Sequence, residues 1–269
     1  MFSTLASASQ IATSTPLTAT PAGPAVATGT RPVLSSRDPA RPSLLPPRQV
    51  LHGAAERGDL EAMAKELTAT PSSANAPDPV SGWRPLTHAL RAHQLDALRM
   101  LLEAGAKPCA CNRDGSVPLV HAAAGNSAEA VQLLLDHGAD VDQVDGDGMT
   151  ALRSAVFIRS ENMAGLLLDR GADINQLNTQ DQTLLFDAVA LHRPSMIALL
   201  LHRGIDIEHV DQQDCTALCH AVRLGHIEEA RMLLGGGANP GHSGKLLGTP
   251  LMIAARNGNV ALLELLTTT

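Results

Sequence analysis

The sequence predicts an all-α solenoid of helix–turn–helix units joined by hairpin-like loops and preceded by a disordered tail. Three observations predict it. The chain has 269 residues, 44% of them apolar but only 1% aromatic: Phe2, Trp83, Phe157 and Phe186, with no Tyr. A core so poor in rings is made of Leu and Ala, which favour helix, whereas sandwich and propeller strands normally use Trp, Tyr and Phe. The composition also breaks near residue 50. Finally, leucine recurs at a fixed spacing of 33 residues, the signature of stacked repeats.

The tail comes first. Residues 1–50 contain 30 Ser, Thr, Ala or Pro and 8 of the 17 prolines, and Thr13–Thr30 has no apolar period. Such a segment buries too little surface to offset its ordering entropy, so residues 1–48 are expected to be disordered. Pro46 and Pro47 mark its end, and residues 49–269 read as the repeat domain. Its first repeat, 49–81, is degenerate, with Leu51, Ala54 and Gly58 in register. The spacing from Leu51 to Leu86 is 35, so the loop near Pro71–Gly82 carries two extra residues.

Six repeats follow, at 82–114, 115–147, 148–180, 181–213, 214–246 and 247–269. Each has an anchor leucine: Leu86, Leu119, Leu152, Leu185, Leu218 and Leu251. Three residues on stands an alanine (Ala89, Ala122, Ala155, Ala188, Ala221, Ala254), small enough to let helices approach closely. Fifteen residues on stands a second leucine, from Leu101 to Leu266, which gives a second helix its apolar stripe. Thr150, Thr183, Thr216 and Thr249 lie two before the anchor, where an N-cap accepts backbone N–H bonds. Pro85, Pro118 and Pro250 lie one before it, where a missing N–H is harmless. Gly105, Gly138, Gly171, Gly204 and Gly237 suit the left-handed residue after the second helix.

Thr-Pro-Leu at 249–251, Gly225-His226, and the runs Leu133–Val141 and Leu166–Asn175 resemble the ankyrin repeat. The resemblance covers residues 82–269 in six repeats, with the degenerate one before them. It implies a protein that binds other proteins through its concave face, using hairpin tips and the exposed side of the first helices. There are departures from the family pattern. Thr87, Val120, Arg153, Phe186, Cys219 and Met252 follow the anchors where the family has His, and His88, His121 and His220 fall one residue later. The glycine between the helices is kept at Gly58, Gly225 and Gly258 but replaced by His93, Asn126, Arg159 and His192. Arg tolerates a left-handed backbone less well than Asn, so a distorted turn is expected at Arg159.

Counting from the anchors, the positions such a surface would use are Trp83, Arg91, Asp147, Met149, Phe157, Ile158, Gln182, Leu191, Arg223 and Leu224, and Cys215 falls at one as well. Several are large and apolar, the composition of a partner surface. The alternative is that Phe157, Ile158, Leu191 and Leu224 pack between helices or under the tail. The last repeat ends on Leu262-Leu263-Glu264-Leu265-Leu266 with no evident polar cap, so Leu262 and Leu266 are expected to be exposed or to meet a partner or a second copy.

Other functions are disfavoured. Residues 1–50 carry four Arg against one Asp, +3 of a net −7, so residues 51–269 carry −10 and repel a phosphate backbone; nucleic acid is not an expected partner. No run approaches a membrane span, and no secretory signal is evident. Cys109, Cys111, Cys215 and Cys219 read as reduced structural thiols, too far apart in pairs for one zinc. Asp140, Asp142, Asp145 and Asp147 fail the calcium-loop order at Val144 and Ala151. Gly146–Ala151 is a fragment of a dinucleotide fingerprint with no strand before it, and Gly241–Leu246 is too short for a phosphate loop. No nucleophile–base set emerges, and neither enzyme activity nor a cofactor or metal is expected. A cytoplasmic location fits these features. The tail also resembles in composition the leaders of bacterial effectors exported into host cells, where the repeats would bind a host protein; a passive linker is the other reading.

Overall fold

The computed structural model describes residues 47–245 and 248–268. The predicted tail, Phe2 included, lies outside the described residues except for its last two positions. These are helical, since Pro47 opens the first helix, a place where proline is harmless.

Fourteen α-helices are described, in seven helix–turn–helix pairs. They are α1 (Pro47–Arg57) with α2 (Leu60–Ala69), α3 (Pro85–Arg91) with α4 (Leu95–Glu103), and α5 (Pro118–Ala124) with α6 (Ala128–Asp136). Next come α7 (Ala151–Phe157) with α8 (Glu161–Asp169), α9 (Leu184–Ala190) with α10 (Pro194–His202), α11 (Ala217–Leu224) with α12 (Ile227–Gly235), and α13 (Pro250–Arg256) with α14 (Val260–Thr267). The extra residues before α3 form a 3₁₀ turn at Pro71–Asn75. Outside the helices, isolated bridges join Val210 to Thr216 and Gly244 to Gly248. First helices pack on first helices from α1 through α13, and second helices form the adjoining layer. Contacts run between neighbouring pairs, as in any stacked-repeat architecture.

The repeat register explains the core. Five anchor leucines, Leu86 to Leu218, are buried, as are all six alanines three residues on and all six leucines fifteen on. Leu251, in the last pair, is 40% exposed because no further helix covers it among the described residues. The five glycines after the second helices have φ between 79° and 98°. Nothing lies within 4 Å of a Cβ built on any of them, so glycine is there for its backbone freedom and not for space. Thr150, Thr216 and Thr249 accept from the N–H groups of Arg153, Cys219 and Met252. Thr183 departs from the prediction: its hydroxyl is buried and makes no capping bond.

The distorted turn expected at Arg159 is absent. Gly58, His93, Asn126, Arg159, His192, Gly225 and Gly258 all have φ between 52° and 78°. Behind each, the next N–H reaches the carbonyl of the repeat's conserved alanine; Ser160 N donates to Ala155 O at 3.0 Å, as Asp59 N does to Ala54 O at 2.9 Å. The helices on either side fix the turn. Arg159 adopts the left-handed conformation all the same, at a cost on the order of 1–2 kcal/mol.

The C-terminal expectation also needs correction. Leu262 and Leu266 are buried, because α14 packs on α12 and α13. The apolar side chains left on this end are Leu251, Met252 and Val260, the last two 63% exposed.

Candidate functional site

Five of the six loops between pairs are stiffened by an Asp or Asn at one register position. Asp78, Asn112, Asp145, Asn178 and Asp211 fold their side chains back onto nearby N–H groups or hydroxyls of the same loop. Adjacent tips then join: Gly146 N donates to Gly115 O at 3.0 Å, and Gln212 N to Gln180 O at 3.4 Å. The acidic run 140–147 is used in this way. Asp140 Oδ1 accepts from Asp142 N, Asp142 Oδ1 from Asp173 N, and Asp145 Oδ1 from the N–H groups of Asp147 and Met149. Gly244, in the stretch that resembled a phosphate loop, serves a close approach: a Cβ there would lie 2.8 Å from Cys215 Sγ.

The predicted surface residues fall into three groups. Trp83 and Arg91 come together at the loop before α3 and the end of that helix. The Arg91 guanidinium carbon sits 4.2 Å from the Trp83 ring centre, a cation–π contact. The indole N–H donates to Asp114 Oδ2 at 2.7 Å in the next loop. Hydrogen bonding from the Ser116 side chain, and then from Trp83, holds the exposed Asp114 carboxyl down at about 2.

Gln182 and Arg223 belong to a second group that centres on two residues the sequence did not single out as a site. Gln182 Nε2 donates to Asp211 Oδ2 at 3.4 Å, His220 Nε2 lies 2.9 Å from the same oxygen, and Arg223 Nη2 is 3.0 Å from His220 Nδ1. The Phe186 ring stands edge-on to His220 with centroids 5.1 Å apart. Burial lowers the His220 pKa against the pull of Asp211. Burial pushes Asp211 upward, but hydrogen bonds from Cys215 N, His220, Gln213 N and Gln182 together hold it below its ordinary value.

The apolar group is Phe157, Ile158, Leu191 and Leu224, at the ends of α7, α9 and α11. Phe157 and Leu224 are 43% and 44% exposed, while Ile158 is half-buried and Leu191 packs against the core. Asp147 is exposed, and Met149 is half-buried on the core. Cys215 is not an exposed position: its thiol is buried beside Gly244, and burial pushes it up to about 11. All four cysteines are free thiols; Cys219 is also buried, Cys109 half-buried and Cys111 exposed.

One buried ion pair escaped the sequence. Arg153 Nη1 lies 2.7 Å from Asp187 Oδ2, with both side chains largely buried between α7 and α9. Arg153 Nη2 also donates to the carbonyls of Gln176 and Gln182. Burial raises Asp187 to about 6 despite its cationic partner, and lowers Arg153. Among the described residues no helix is long and apolar enough to cross a membrane.

A family model described as ankyrin repeats in three copies matches residues 107–178 and 185–269, more than half of the chain. The solved ankyrin repeat domain of Bcl-3, described as a unique member of the IkappaB protein family, is similar at 28% identity. It aligns over 81% of this chain and 97% of its own length, with a TM-score of 0.75. The human ASB11 ankyrin repeat domain is similar at 27% identity, over 80% of this chain and 96% of that one, with a TM-score of 0.66. No curated protein sequence matches the chain. With the family model matching more than half of a chain built of stacked helix pairs, the chain belongs to the ankyrin-repeat family.

Proposed function

We propose that this chain is a non-enzymatic protein-binding module, an adaptor or regulator, that holds its partner against the loop tips and the exposed ends of the first helices. Ankyrin repeat domains generally mediate protein–protein interaction. The observation that carries the reading is the exposure of Phe157 and Leu224 in a chain that buries most of its large apolar side chains. A half-exposed ring offers apolar area that a partner can bury. The charged and amide groups of the Trp83–Arg91 and Gln182–Arg223 clusters supply the polar rim of such a surface, held in place before binding.

The test is affinity capture with crosslinking, comparing the parent with Phe157→Asp combined with Leu224→Asp. Both positions face solvent, so helical circular dichroism should be unchanged and capture should fall at least tenfold. A folded variant that captures the same partner equally well would remove the proposed site. Self-association is a second reading, favoured by the exposed Leu251, Met252 and Val260.

A further inference from the structure

Three departures from the repeat register meet at one point between α9–α10 and α11–α12. The first is Glu229, eleven residues after Leu218. The other full repeats place Ala97, Ala130, Met163, Met196 and Leu262 there, all of them core residues. Glu229 is 0% exposed, so a carboxylate stands where the fold expects a methyl or thioether. Its oxygens have no well-formed hydrogen bond. A buried, unsatisfied carboxylate is one of the more expensive things a core can hold.

The second departure is His192, which occupies a left-handed turn position at φ 57°. Its Nδ1 reaches to 2.5 Å from Glu229 Oε1, close enough for an ion pair but poorly aligned as a hydrogen bond. The third is His226, at the residue before α12. Asp59, Ser127, Ser160 and Asn259 cap their helices from this position, and His226 does not. Its Nδ1 turns instead to the Val189 carbonyl at 3.0 Å. A carbonyl can only accept, so Nδ1 carries the hydrogen and the neutral ring keeps its lone pair on Nε2. That is the arrangement by which backbone carbonyls orient histidine ligands in metal sites. The two imidazoles lie tilted at 45° to one another with centroids 4.7 Å apart. One donor atom from each of the three residues lies within 4.8 Å of the others.

We propose that His192, His226 and Glu229 bind a divalent transition-metal ion, zinc being the best match. Two imidazole nitrogens and one carboxylate oxygen suit zinc, whereas calcium and magnesium take oxygen donors. Three protein ligands leave a fourth position for water or for a donor from a bound partner. Bonds of about 2.0–2.1 Å place tetrahedral donors roughly 3.4 Å from one another, so the His192–Glu229 pair opens from 2.5 Å while the wider separations, up to 4.8 Å, close. His192 supplies that movement, since its side chain is 65% exposed and sits on a loop. The ion's positive charge offsets the buried Glu229 carboxylate, which the core otherwise holds without a hydrogen bond.

The experiment uses the full chain freed of metal by a chelator. Zinc chloride is titrated by calorimetry, cobalt chloride by visible absorption, and Tm is followed with each. One equivalent should bind, the cobalt form should show the absorption of a low-coordinate ion, and Tm should rise. Three variants use residues that this chain itself carries in the same register: His192→Asn as at Asn126, His226→Ser as at Ser127 and Ser160, and Glu229→Met as at Met163 and Met196. Each should fold, and each should weaken zinc binding at least tenfold. Glu229→Met should also leave the metal-free Tm equal to or above that of the parent while abolishing its response to zinc. The proposal is overturned if the parent shows no stoichiometric binding, or if the three variants bind as the parent does.

Discussion

Arg153 and Asp187 show how one pair of side chains sets a pH response. Asp187 titrates near 6 in the folded chain, against an ordinary value of 3.8, because burial outweighs the attraction of Arg153. Between about pH 4 and 6 the folded state therefore holds a proton that the unfolded state has released. Stability from this group is present at the acid end of that window and is lost as pH rises through it. Arg153→Ala removes the attraction and leaves a buried carboxylate without its partner. It should cost about 3 kcal/mol at pH 8 and less at pH 5, where Asp187 is protonated, as read by urea unfolding at the two pH values. An equal cost at both would show that Asp187 does not titrate in this window. Asp114 behaves in the opposite sense. Its depressed carboxyl contributes above the ordinary range and loses that contribution as pH falls towards about 2. Neither behaviour was legible in the sequence, because Arg153 and Asp187 sit one and two residues after their own anchors. Only the stacking of α7 on α9 turns that offset into a contact.

At the scale of the helix pair, what repeats was legible and what departs from repetition was not. Leucines, alanines and glycines at fixed spacing announced the helices, their buried faces and their left-handed ends, since each copy votes for the same answer. Single residues were harder. Thr183 looks like Thr150 and Thr216 in the sequence, yet its hydroxyl turns inward and its helix starts without a cap. Arg159 looks incompatible with its turn, yet the flanking helices impose it. Ala at a capping position should thus be costly only where the cap is made. Thr216→Ala should destabilise the chain by about 1 kcal/mol, while Thr183→Ala should cost distinctly less. Thermal melts of the two variants side by side check this, and equal losses would mean that the threonines act through packing. The proposed surface was half legible. Register placed Trp83, Phe157 and Leu224 on accessible loops and helix ends, but Asp211 and His220, which tie Gln182 to Arg223, emerge only in three dimensions.

For the whole molecule, the C-terminal end of the described stack is the informative one. The C-terminal end presents Leu251, Met252 and Val260 to solvent, and those residues set the prediction for association. Size-exclusion chromatography with light scattering should show a dimer fraction that grows with concentration and vanishes in Met252→Glu combined with Val260→Glu. A parent that is monomeric throughout would overturn association through this patch. The sequence placed the exposed surface on the wrong leucines, because Leu262 and Leu266 are covered from within their own repeat and by α12. The order of packing has a mechanical side. Among the described residues the main helix contacts join only neighbouring pairs, so tension applied along the stack meets no extensive long-range clasp. Such a chain yields in steps, each 33-residue unit paying out about 110 Å of thread as it lets go. The remainder should stay wound, so extension under load is expected to be graded rather than all-or-none.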